Sequence, residues 1–114
     1  MKVNKELLKG STTVLILSLL NRQNMYGYEM IKAIELKSKN VFSFKEGTLY
    51  PILHTLENEN YIESYWESGL GSRKRKYYKI TDSGKKILLE KEQEWKLFSS
   101  TVNNVLWEVK SCRN

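Results

Sequence analysis

Five cations, Arg73, Lys74, Arg75, Lys76 and Lys79, fall between Ser68 and Thr81 with no carboxylate among them. The whole chain carries a net +6, so this one stretch holds most of the excess. Charge concentrated in a patch attracts a polyanion and holds it in register, which evenly spread charge does not. Here every charge has one sign, which costs self-repulsion unless an anion is present. The chemistry implied is phosphate binding. Each neutralised phosphate then steepens the salt dependence by roughly 0.9 log units per decade for duplex DNA.

Catalysis finds no comparable foothold. His54 is the only histidine, and no nucleophile or carboxylate set beside it makes a general base. One histidine and one cysteine do not make a zinc site. No glycine-rich phosphate loop is present. The chain reads as a protein without enzymatic activity and without a cofactor. Cys112 excludes an internal disulfide, suits a reducing cytoplasm, and reads as a terminal thiol with no role. An isoelectric point near 9.4 favours nucleic acid or an anionic membrane surface. The longest apolar run, Val14 to Leu20, is broken by Ser18 and falls far short of a span, so no membrane association is expected. Lys2 and Lys5 precede that run. Glu6, the helical spacing and the lack of a cleavage site nevertheless argue against a secretory signal. The expected location is the cytoplasm.

The elements that must position the cations read as helix, helix, helix, hairpin, long helix. At 114 residues they form one compact unit. The first helix is expected from about Lys5 to Asn21. Leu7, Leu8, Val14, Leu15, Leu17 and Leu19 give it more than one apolar face, which calls for cover on several sides, a second subunit included. The second covers about Gly27 to Lys37, with Tyr28, Ile31 and Ile34 on one stripe. The third opens on a capping box, Ser43 to Glu46, and buries Leu49, Ile52, Leu53 and Leu56. Pro51 lies inside it and removes the hydrogen bond to Gly47, so a bend or a loosely wound first turn is expected.

Tyr61–Trp66 and Lys76–Ile80 flank Gly69 and Gly71 and read as a two-stranded hairpin with a basic tip. Alternation turns Ile62, Tyr78 and Ile80 toward the core. Thr81 then caps a helix reaching about Lys110, roughly 40 Å at 1.5 Å per residue. Leu88, Trp95, Val102 and Val109 recur every seventh residue, with Phe98, Val105 and Cys112 as the partner series. Such a seam implies a second helix alongside, most simply that of a second copy. Residues 1–80 thus read as a winged helix-turn-helix DNA-binding domain, and 81–114 as a dimerisation helix. The fold class is mainly α with a two-stranded β wing.

Removing the core stripe from the third helix leaves Gly47, Tyr50, Pro51, His54, Thr55 and Asn58 facing outward. Gly47 and Pro51 are poor helix formers, which surface stability alone would not select. Gly47, Thr48 and Tyr50 lie near the end that enters the major groove in helix-turn-helix readers. Arg73, Lys74, Arg75 and Lys76 would reach phosphates or the minor groove. Trp95, near Phe98 at the seam, either packs there or leaves a slot for a flat hydrophobic molecule. The alternative reading is a winged-helix module that docks an acidic protein partner without sequence-specific DNA binding.

The runs Leu8-Lys9-Gly10-Ser11, Tyr26-Gly27-Tyr28-Glu29, Glu46-Gly47-Thr48-Leu49-Tyr50-Pro51-Ile52-Leu53-His54, Leu56-Glu57 and Arg75-Lys76-Tyr77-Tyr78-Lys79-Ile80-Thr81, with Gly84, resemble the PadR family of bacterial transcriptional regulators over about residues 7 to 107. The length and the single C-terminal helix resemble its small subfamily. The resemblance implies a dimeric repressor on operators with dyad symmetry, often controlling detoxification or multidrug efflux genes. Tyr26, Gly27 and Lys45 join the candidate DNA-binding residues. The resemblance also implies a small aromatic effector held by Trp95, Phe98, Val14 and Leu17. The dimer would form through Leu7, Leu88, Trp95, Phe98, Val102, Val105 and Val109. Two positions depart from the family pattern: Thr55 stands where Arg is usual, and Glu59-Asn60 where Glu-Gly is usual.

Overall fold

The structure, a computed structural model, describes residues 3–68, 71 and 73–107. Element order is α1 (Lys5–Lys9), α2 (Thr12–Arg22), β1 (Met25–Tyr26), α3 (Gly27–Lys37), α4 (Glu46–Asn58), β2 (Ile62–Ser68), β3 (Lys74–Ile80) and α5 (Asp82–Trp107). The class is the expected one, mainly helical with a wing and a long last helix. The sheet, however, has three antiparallel strands in the order β1-β3-β2. Met25 and Tyr26 pair with Tyr78 and Tyr77, and two residues are too short a stretch to leave an alternating pattern.

The single first helix is corrected to two. Asn4 accepts the Glu6 N–H at 2.7 Å and starts α1, and the Gly10 and Ser11 N–H groups turn back onto the Leu8 carbonyl. The buried Thr12 hydroxyl donates to the same carbonyl at 3.3 Å. Ile16, Leu17, Leu19 and Leu20 of α2 are buried, and α3, β3 and α5 pack on this helix within one protomer. No second subunit is needed to cover them. In α3 the stripe is Met30, Ile31 and Ile34; Tyr28 is exposed.

The Ser43 capping box does not form. α4 begins at Glu46 behind Lys45, which caps without its side chain, and Phe44 turns into the core while Ser43 stays exposed. A reaching-back carboxylate is found instead on α3, where Glu29 accepts the Tyr26 N–H at 3.1 Å. α4 is helical from Glu46 to Asn58 straight through Pro51. The missing N–H leaves the carbonyl of Gly47, an exposed residue in the first turn, without its usual helical donor, while the Thr55 hydroxyl donates to the Pro51 carbonyl at 3.1 Å. Leu49, Leu53 and Leu56 are buried as expected, with Ile52 partly so.

Asn60 takes φ 64°, the left-handed conformation that glycine would supply and asparagine tolerates, so the turn into the wing survives its departure from the family pattern. Its carbonyl accepts the Thr81 and Ser83 hydroxyls at 2.6 and 2.8 Å. Thr81 Oγ1 accepts the Gly84 N–H at 3.0 Å, the expected cap of α5. A Cβ at Gly84 would collide with the Tyr61 carbonyl oxygen, so glycine lets α5 start against the base of the wing. From there α5 projects past the body, and the molecule measures 65 × 33 × 21 Å.

Candidate nucleic-acid interface

α4 presents Lys45, Gly47, Thr48, Tyr50, Pro51 and His54 to solvent, opposite its buried leucines. A Cβ built on Gly47 meets nothing within 4 Å, so the protomer itself does not require glycine there. Gly27 is different. It is buried, and a Cβ on it would lie 2.5 Å from the Tyr50 hydroxyl. Glycine at this position lets the Tyr50 ring settle on the start of α3, and with no side chain Gly27 has only its backbone to offer a partner. Burial, followed by the neighbouring Glu46, raises the Tyr50 phenol above its ordinary pKa.

On the wing, Arg73, Lys74 and Arg75 are exposed and Lys76 is half-buried. Lys76 Nζ lies 5.7 Å from the Tyr78 ring centre, and Tyr78 is buried against the body. Arg75 lies 4.6 Å above the ring of Tyr26, fixing a guanidinium that would otherwise sample solvent. Tyr77 meets Tyr26 edge-on at 5.4 Å and stacks on Tyr65 at 5.7 Å. The Asn24 amide donates to the Tyr65 hydroxyl at 3.0 Å. Burial first, then Glu29 and Glu67, raises the Tyr77 phenol.

The expectation that no acid offsets the patch is corrected. Register places Glu63 opposite Lys79 and Glu67 opposite Arg75. Glu63 holds Lys79 at 3.2 Å, an exposed pair worth at most about 1 kcal/mol. Acids distant along the sequence become neighbours through strand pairing. The cation excess remains, with Lys79 partly answered by Glu63.

The remaining residues lie elsewhere. Leu7 is exposed on α1 and Val14 is half-buried. Leu17 is 0% exposed in the core, so it does not line a slot open to a ligand. Leu88 is 3% exposed and likewise belongs to the protomer's own core. Trp95 and Phe98 are exposed, with ring centres 6.0 Å apart and planes tilted by 32°. Val105 is exposed and Val102 half-buried, whereas Val109 and Cys112 lie outside the described residues. Sequence reasoning missed Tyr65, Tyr77 and Asn24, which β1 and the hairpin bring together, and Trp66 on the wing. Alternation along β2 and β3 was the signal for Tyr65, Tyr77 and Trp66. Asn24 had none.

A helix exposed along one side, a basic hairpin beside it and a short third strand define a winged-helix protein. Residues 16–90 match the model of the "Transcriptional regulator PadR-like family". The chain belongs to that family of transcriptional regulators. It is similar to a transcriptional regulator of Clostridium thermocellum, with a TM-score of 0.81 and 37% identity over 88% of this chain and 97% of that one. The PadR-like regulator BC4206 of Bacillus cereus gives a TM-score of 0.79 and 35% identity over 90% of this chain and 98% of the other. Uncharacterized protein X of Lysinibacillus sphaericus is 38% identical over 93 residues, 82% of this chain and 85% of the relative.

Proposed function

We propose that the protein is a homodimeric repressor that binds an operator with dyad symmetry, α4 entering the major groove and the wing gripping the adjacent backbone. The observation that carries this reading is the exposed side of α4. Gly47, Thr48, Pro51 and His54 are exposed and Tyr50 is partly so, while β2 of the wing, which carries exposed cations on its partner strand, packs on the same helix. Phosphate contacts then fix register, and side chains of α4 meet base edges.

The dimer rests on α5. Trp95, Leu97, Phe98, Val105, Leu106 and Trp107 are each between 49% and 73% exposed. So many large apolar side chains on one projecting rod call for a partner, since burying each one fully is worth about 1.5–3 kcal/mol. A second copy supplies the same rod. Two reading helices must then sit about 34–36 Å apart. A flat aromatic effector stacking on Trp95 and Phe98, with Val14 beside them, would change that spacing and release the operator. The controlled genes, by resemblance to the family, are those of detoxification or multidrug efflux.

The test is binding to the DNA upstream of the protein's own gene, followed by fluorescence anisotropy. The parent binds with steep salt dependence. An Arg73→Glu/Lys74→Glu variant loses binding; neither side chain makes a hydrogen bond or ion pair among the described residues. Persistent binding by that variant would overturn the reading and favour a protein-docking module. Transcription of the neighbouring genes in a deletion strain tests repression.

A further inference from the structure

Strand alternation sorts the wing into two unlike faces. Ser64–Tyr78, Trp66–Lys76 and Ser68–Lys74 are cross-strand partners on the face that buries Ile62 and Tyr78 toward the body. Glu63–Lys79, Tyr65–Tyr77 and Glu67–Arg75 share the opposite face. Both hairpin carboxylates therefore lie away from the helix side. Beyond the buried Ile62 and Tyr78, that side has Lys74, Lys76, two serines and one exposed large apolar group, Trp66, which is 65% exposed. The Ser64 hydroxyl donates to Glu57 of α4 at 2.6 Å, so this face of the wing runs alongside the reading helix.

A lone exposed apolar residue needs no explanation by itself. Trp66 is unlike that case in its surroundings. It makes no hydrogen bond or ring contact among the described residues, it stands opposite Lys76, and Lys74 lies one step further toward the tip on the same face. Lys76 Nζ leans back over Tyr78 and Lys74 stands on the tip side, so an indole with a lysine at the opposite and at the diagonal cross-strand position matches a surface that alternates apolar sugar with anionic phosphate. We propose that Trp66 is a DNA-contact residue: its ring seats on the sugar edges of the minor groove while Lys74 and Lys76 hold the flanking phosphates. The indole N–H supplies one donor to the acceptors that line that groove. This inference rests on the reading of the chain as a DNA-binding regulator. It divides the wing into a contacting face and a bracing face, where Arg75, Tyr26, Tyr77 and Tyr65 stiffen the hairpin.

An apolar contact releases no counterions, so its signature differs from that of a cation. Binding of the parent to its upstream duplex is measured first; failure there overturns the regulator reading itself. With an intact parent, Trp66→Ala is expected to weaken binding about tenfold at every salt concentration and leave the slope of log K against log salt unchanged. Lys76→Ala is expected to flatten the slope by roughly 0.9, and Trp66→Phe to recover part of the lost affinity. In protein labelled with 5-fluorotryptophan, the fluorine resonance missing from Trp66→Phe should shift when duplex is added. Affinity of Trp66→Ala within twofold of the parent, or an unmoved Trp66 resonance at saturation, would overturn the wing assignment alone. Thermal melts confirm that the variants fold.

Discussion

Gly47→Ala separates what α4 needs to be a helix from what it needs to meet a duplex. The new methyl group has nothing within 4 Å to strike, and the position is exposed in the first turn. Alanine loses less backbone freedom on folding than glycine, so the protomer gains about 0.5–1 kcal/mol. For a domain of about this size that raises the melting temperature by roughly 2–6 °C. Against DNA the effect has the opposite sign. A methyl group at the mouth of the groove holds the helix off the phosphates, and losing one hydrogen bond to a charged group costs about 1.5–3 kcal/mol. Operator affinity should then fall about 10- to 150-fold. Differential scanning calorimetry and anisotropy titration on the same preparation read both quantities. A variant that melts higher and binds unchanged would refute the placement of this turn at the duplex. One that melts lower would show that the fold itself requires the glycine.

Four further outcomes follow from the geometry. Gly84→Ala should destabilise by about 1–3 kcal/mol, seen in urea unfolding, because the added carbon meets the Tyr61 backbone. Thr81→Ala removes the cap on the Gly84 N–H and should cost about 1 kcal/mol in the same assay. Burial, then Glu57 and Tyr50, raises the Tyr78 phenol above the ordinary tyrosine pKa of about 10. Its contribution to stability is whole below the unfolded pKa and fades as pH climbs through the folded one, so the parent should lose stability in alkali more steeply than Tyr78→Phe. Phe98→Glu/Val105→Glu should yield protomers in sedimentation equilibrium and abolish operator binding; an unchanged dimer would move the seam away from these residues.

Ile31 and Ile34 of the α3 stripe, the stripe of α4, the cap at Thr81 and the hairpin itself were legible in the chain. Each rests on interactions within a few residues, and local spacing carries that information. The break at Gly10, the start of α4 behind Phe44 and the strand β1 were not. They depend on which side chain the finished core accepts and on a pairing partner some fifty residues away.

The candidate interface divides the same way. The sequence by itself determined that cations gather on a hairpin after a helix whose outer residues are poor helix formers. Only the tertiary structure decided that Glu63 answers Lys79, that Tyr26 braces Arg75, and that Leu17 and Leu88 belong to the core. Charge along a chain is fixed by composition, whereas the charge a partner meets is fixed by strand register and burial, which no local stretch encodes.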